Sequence, residues 1–266
     1  MAADDQGRMR LDALARDLPD GSRPVIACLQ AGNVNTGAFD PFAEAIELIR
    51  SRCPNAWVHV DGAFGLWAAA SPRLRHLTAG NEGADSWAGD GHKWLNVPYD
   101  CGYAFVRDPA AHAAALSPQS AAYLVYGTAE RDEFRWVPEF SRRARGFATY
   151  AALRSLGRTG VADLIDRCCS LAGRMADGLR AAGPGIEVLN EIALDQVLVR
   201  FTGAPGEDAD AHTRDVIRRV QDDGTCWLSG TTWHGMAAMR ISVVNWSTTE
   251  DDVDRSVAAI LRAARA

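Results

Sequence analysis

The sequence holds 266 residues, 47% hydrophobic, 23% charged and 8% aromatic, a composition that can bury a sizeable core and is far from that of a disordered chain. Acidic side chains outnumber basic ones, 34 to 28, for a formal net charge of -6, so no basic excess exists to neutralise a phosphate backbone and nucleic acid is not an expected partner. No apolar run approaches the roughly 20 residues of a bilayer span, and the opening MAADDQGRMRLDAL lacks the cationic and apolar regions of a secretory leader. A cytoplasmic location is the expectation.

Apolar, β-branched runs bounded by turn residues predict strands over 25–30, 56–61, 84–89 and 101–107. Between the first two, Phe42, Ala45, Ile46 and Ile49 form the apolar stripe of a helix over 41–52, with Pro41 in its first turn and Asp40 as a plausible cap. Strand, helix, strand alternation argues for an α/β layer with a largely parallel sheet. Residues 116–141 are polar, aromatic and too long for an ordinary connection, which reads as a functional or poorly ordered loop. Helical periodicity returns over 142–156 and 161–182, stopped by Gly183-Pro184-Gly185. Strands over 186–189, 196–202, 225–229 and 237–244, with helices over 210–221 and 250–262, complete a second α/β unit. The expected division is 1–145 and 146–266.

Six cysteines, Cys28, Cys53, Cys101, Cys168, Cys169 and Cys226, show neither a CxxC pair nor metal-ligand spacing. They read mostly as reduced core residues, and no metal is expected. Trp57, Trp67, Trp87, Trp94, Trp227, Trp233 and Trp246 also read as core, since no basic stripe accompanies them. His59 shares a strand face with Asp61 but lacks a third ligand, so a packed or cofactor-adjacent imidazole is expected. His76, His112, His212 and His234 read as surface or packing residues.

Ligands of open α/β sheets gather beyond the carboxyl ends of the strands. Three such ends run into Gly32-Asn33-Val34-Asn35-Thr36-Gly37, His59-Val60-Asp61-Gly62-Ala63 and Asp90-Gly91-His92-Lys93-Trp94. If these strands are neighbours, Asp61 and Lys93 meet in one cleft. A lysine that condenses with an aldehyde and a carboxylate that keeps a pyridine nitrogen protonated suit pyridoxal phosphate chemistry. From spacing alone the favoured reading is a simple ion pair with satisfied hydrogen bonds.

The string HVDGAFGLWAAASPRLRHLTAGNEGADSWAGDGHKWLNVPYDCG resembles the group II pyridoxal-phosphate decarboxylases, the family of aromatic amino acid, glutamate and histidine decarboxylases, of fold type I. The resemblance extends upstream through GNVNTGAFDPF and downstream through EFSRRARGFATYAALRSLGRTG to WLSGTTWHGMAAMRISVVNWSTTEDDVDRS, nearly the whole chain. It implies the C-terminal part of a large cofactor-binding domain followed by the small α/β domain. It makes Lys93 the Schiff-base lysine, Asp61 the partner of the pyridine nitrogen, and Ala63 the small residue against the ring. His92 would sit near the phosphate or the imine, and Asn33 among the cofactor contacts. Within the long loop, Tyr123 matches the tyrosine that returns a proton to the substrate α-carbon, with Tyr126 as the second candidate. Arg142 and Arg143 are site or interface candidates by the same resemblance, and a solvated basic turn by composition.

Family members often carry Thr-Thr at Asn33-Val34, Ala at Gly62 and Asn-Pro at Asp90-Gly91, departures that bear on the phosphate and O3' contacts and leave the Asp61 and Lys93 pairing intact. The resemblance also implies that the phosphate cradle, the ring-stacking histidine and the arm that intertwines the homodimer come from sequence before Met1, roughly the first half of the usual protein. Three readings follow: an L-amino acid decarboxylase, another fold-type-I reaction such as transamination or β-substituent cleavage, and a truncated chain without activity.

Overall fold

The computed structural model describes residues 1–116, 136–139 and 141–266. A short helix α1 (Leu11–Asp17) precedes the first sheet; at seven residues it is too brief to leave a periodic signal in the sequence. The sheet contains β1 (Ile26–Gln30), β2 (Trp57–Asp61), β3 (Ser86–Asp90) and β4 (Gly102–Val106), in that order. β1, β2 and β3 run parallel, whereas β4 is antiparallel to β3. Residues 91–101 are too few for a crossover to a parallel neighbour, so the chain doubles back.

Helix α2 (Phe42–Arg52) crosses from β1 to β2 and buries the expected stripe of Phe42, Ala45, Ile46 and Ile49. Its N-cap is Pro41, without a side-chain cap, which corrects the reading of Asp40. The buried Asp40 carboxylate instead accepts the backbone N–H groups of Met9 (2.6 Å) and Gln30 (2.7 Å). Both oxygens are spent fastening the N-terminal segment to the end of β1. The crossover from β2 to β3 holds no α-helix but three 3-10 turns, Gly65–Ala70, Arg75–Thr78 and Asn81–Gly83.

After β4 and the helix α3 (Pro109–Leu116), the expected pair of helices follows as the two arms of α4 (Arg145–Arg180), separated by a kink at Gly157. Gly157 has φ of +62°, a conformation that a residue with a Cβ rarely adopts. Before the break, Phe147, Tyr150, Leu153 and Leu156 are exposed. Beyond it, Val161, Leu164, Ile165 and Cys168 enter a first core with Leu29, Val58 and other residues of the parallel strands. One turn later Leu171, Met175 and Leu179 enter a second core with Val197, Phe201 and Ile260.

That second core lies against an antiparallel sheet of β5 (Ile186–Val188), β6 (Gln196–Phe201), β7 (Ser229–Trp233) and β8 (Met236–Ser242), ordered β5-β6-β8-β7. Helices α5 (Ala209–Asp223) and α6 (Glu250–Arg265) cover it with Val216, Ile217, Val220, Val253 and Ile260. Strand β7 begins at Ser229, where the sequence suggests a strand ending. The register is set by the two-residue turn His234-Gly235, both at positive φ, which pairs Trp233 with Met236. The apolar run before it is no strand, and Trp227 is 80% exposed.

Trp246 is likewise exposed, so Trp227 and Trp246 depart from the core reading, whereas Trp94 is fully buried. All six cysteines are free; four are buried, Cys226 is intermediate, and Cys28 is exposed on β1, against expectation. Burial pushes the Cys168 thiol up to about 11, a thiol inert toward ordinary oxidation. Among the described residues, no helix is long and apolar enough to cross a membrane.

Candidate active site

The site grows from the ends of β2 and β3, which the parallel register places side by side with Asp61 opposite Ala88. The loop after β2 is fastened to β3: the Gly62 N–H donates to the Ala88 carbonyl (3.0 Å) and the Asp90 N–H to the Ala63 carbonyl (2.8 Å). Asp61 is exposed, and of its two oxygens Oδ1 accepts the Ala63 N–H at 3.2 Å. Ala63 is half-buried beneath it.

Beyond Asp90 the chain turns through Gly91, whose N–H donates to the Cys101 carbonyl (2.9 Å). A Cβ on Gly91 would overlap the Tyr103 hydroxyl, so the turn lies flat against β4 as only glycine allows. The fully buried Trp94 donates its Nε1–H to the Phe64 carbonyl (2.8 Å) and anchors the far side of the turn. Lys93 is thereby held between two fixed residues. Its Nζ lies 5.3 Å from the centroid of the Phe64 ring and 3.1 Å from Asp90 Oδ2, with the side chain about a third exposed.

His92 Nδ1 is 3.1 Å from the Cys101 carbonyl and so carries the donated proton. The imidazole stacks on Tyr99 at 4.4 Å between centroids, and its Nε2 is 3.7 Å from Asp90 Oδ2. Asp90 thus faces both His92 and Lys93. Behind them, the Tyr103 hydroxyl shares a 2.8 Å hydrogen bond with Thr149 Oγ1, and burial pushes the phenol up to about 12, which keeps it neutral.

His59 Nδ1 meets Ser86 Oγ at 2.8 Å, and the same oxygen accepts Trp57 Nε1–H at 2.8 Å. That is a packed imidazole, and among the described residues no group of three side chains could hold a metal. Asn33 uses its amide within its own loop: Nδ2 donates to Gln30 Oε1 (2.9 Å), while Oδ1 accepts the N–H groups of Asn35 (2.9 Å) and Thr36 (3.3 Å). Arg142 and Arg143 are exposed and pair with Glu139 (3.3 Å) and Asp100 (3.5 Å). Tyr123 and Tyr126 lie outside the described residues.

Three residues without a role assigned from the sequence face this region. Asp90 is the first, named there only as a strand end and a departure from the family pattern; an acid three positions before a lysine was its signal. Arg240 on β8 reaches the Val34 carbonyl (3.3 Å), so the second sheet touches the loop after β1. Asp195, just before β6, is buried with Oδ1 unpartnered, and burial raises its pKa to about 7 although the charges of Lys93 and Arg240 pull it down. An acid at the head of the apolar run QVLVRF was the available signal.

The family described as the pyridoxal-dependent decarboxylase conserved domain matches residues 1–202. The chain belongs to that family. It is 29% identical over 260 residues to the aromatic-L-amino-acid decarboxylase of Drosophila lebanonensis, covering 96% of this chain and 62% of that one. It is 31% identical over 282 residues to the L-2,4-diaminobutyrate decarboxylase of Rhizobium meliloti (strain 1021), covering all of this chain and 54% of the other. The crystal structure of Oryza sativa TDC with PLP and tryptamine superposes with a TM-score of 0.87 at 25% identity, over 98% of this chain and 55% of that one. The α/β architecture is therefore that of the fold-type-I decarboxylases, and the chain spans about half to three-fifths of these relatives' lengths.

Every cation of this decarboxylase-family chain other than Lys93 and the terminal amine is an arginine or histidine: Lys93 is the only lysine in the sequence. Where a fixed positive charge suffices, the chain uses the guanidinium, which does not lose its proton. Its one primary amine on a side chain stands beside the two strand ends.

Proposed function

We propose that this chain supplies the lysine- and aspartate-bearing part of a carboxy-lyase that uses pyridoxal 5'-phosphate to release carbon dioxide from an L-amino acid. The observation that carries the reading is the convergence of the sole lysine and the exposed Asp61 carboxylate at the ends of adjacent parallel strands. The matched relatives are decarboxylases by name, which supports this reaction over transamination or β-substituent cleavage.

The residues present fit the cofactor. Lys93 offers a primary amine for covalent attachment, Asp61 has oxygen capacity left beyond the Ala63 N–H, and Ala63 adds no bulk beside it. When bound, the cofactor ring supplies an electron sink for the pair released as the carboxylate leaves. Asp61 would keep the ring nitrogen protonated through a charge-assisted bond. His92 would stand next to the attachment point, its proton held on Nδ1 by the Cys101 carbonyl. Asn33 would order the loop after β1 at the rim, and Tyr123 would return the proton to the α-carbon. A homodimer of the longer protein and a cytoplasmic location go with this reading.

The test is to add pyridoxal 5'-phosphate, follow its visible absorbance, reduce with borohydride and map the labelled peptide. Label on Lys93 supports the reading, and label confined to the terminal amine overturns it. In an assembly that turns over substrate, carbon dioxide with an amine, against a keto acid, separates decarboxylation from transamination.

A further inference from the structure

A second carboxylate, Asp90, faces the sole lysine. Asp90 is the last residue of β3 and is fixed on every side. Its N–H donates to Ala63, its carbonyl accepts Trp67 Nε1–H (2.9 Å), and it pairs with Gly102 on β4. Opposite Gly102 no side chain crowds it; a Cβ there would come within 3.3 Å of Oδ1. From this fixed base Oδ2 points at Lys93 Nζ (3.1 Å) and at His92 Nε2 (3.7 Å). The Tyr103 phenol beside it is neutral, and the buried Asp195 also lies within charge range of Lys93. His92 is itself held by Cys101 and Tyr99.

We propose that Asp90 is a positioning residue for Lys93: its carboxylate holds the ε-ammonium at the end of β3 and is the place to which the amine returns whenever it is not covalently engaged. An amine that attacks an aldehyde must be neutral, while one displaced by an incoming substrate amine must be kept close. A carboxylate at hydrogen-bond distance serves the second need and opposes the first, because that bond must be broken before the nitrogen can attack. Asp90 therefore trades speed of attachment for retention. This rests on Lys93 being the attachment residue, but the property can be measured without cofactor.

Because there is one lysine, its nucleophilicity can be read directly. The 266-residue chain is treated with an isotope-coded acetylating reagent, with the terminal amine as internal reference, and Lys93 acetylation is timed by peptide mass spectrometry. Asp90→Asn should raise the rate by about two- to fivefold, the range for a partly exposed ion pair, and Asp90→Glu should return it toward wild type. Circular dichroism and a urea-unfolded reference separate this from unfolding. Should Asp90→Asn not fold, the wild-type chain alone decides: high salt screens a partly exposed pair and should speed acetylation of Lys93 relative to the terminal amine. Equal rates in wild type and a folded Asp90→Asn, or a wild-type rate indifferent to salt, overturn the proposal. Borohydride mapping with pyridoxal 5'-phosphate is scored separately, so failure of the cofactor reading and failure of the Asp90 role give different results.

Discussion

The hydroxyl of Tyr103 fills the space that a Cβ on Gly91 would require. The same hydroxyl is bonded to Thr149 on α4, so the turn that presents Lys93 is braced through β4 against the long helix. Gly91→Ala must move either the phenol or the turn. A cost of about 1–3 kcal/mol is expected from overpacking, measured as a lower urea midpoint. A smaller cost in a Tyr103→Phe background would show coupling between the two sites; full additivity would place the strain elsewhere.

Asp61→Ala removes the carboxylate proposed to stabilise the protonated ring nitrogen. In an assembly competent for turnover, the expected loss is on the order of a hundredfold, the scale for removing one oriented electrostatic partner, while covalent attachment through Lys93 persists by absorbance. Near-normal turnover would move the role to another group.

Asp195 makes stability depend on pH. Its carboxyl, held near 7 by burial against an ordinary 3.8, keeps its proton in the folded chain over a range where the unfolded chain has already lost it. Its contribution to stability is therefore most favourable below about pH 4, falls as pH rises toward about 7, and levels off beyond, a change on the order of 4 kcal/mol at most. Asp195→Asn should flatten this fall, raising the urea midpoint above pH 7 and changing it little near pH 4. A parallel pH profile in the variant would refute the assignment.

Helix α6 opens with a reciprocal cap: Thr249 Oγ1 accepts the Asp252 N–H (3.2 Å), and Asp252 Oδ2 accepts the Thr249 N–H (3.0 Å). Thr249→Ala leaves the first of these donors without its partner. The expected cost is about 1 kcal/mol, read as a lower midpoint with cofactor attachment unaltered.

Much of the fold is legible along the chain because it depends on local period. The stripe Phe42, Ala45, Ile46 and Ile49 names the buried face of α2 whatever it packs against, and the runs ending at Asp61 and Asp90 mark strand ends beyond which a ligand can sit. The candidates Lys93, Asp61, Ala63 and His92 were read that way, through turn residues that follow strands and a family likeness carried by the same short strings.

Partnership across distance is another matter. Asp40 reads as a cap beside Pro41, yet its oxygens go to Met9 and Gln30, because burial makes two backbone donors worth more than one helix end. The place of β7 was settled by the left-handed turn at His234-Gly235, not by the apolar run before it. The closeness of Asp90 to Lys93 follows from the flat turn that Gly91 allows, and the effect of Lys93 and Arg240 on Asp195 from the meeting of the two sheets. Periodicity in a sequence encodes which face of an element leaves water; which donor meets which acceptor is decided only when elements far apart in the chain are packed together.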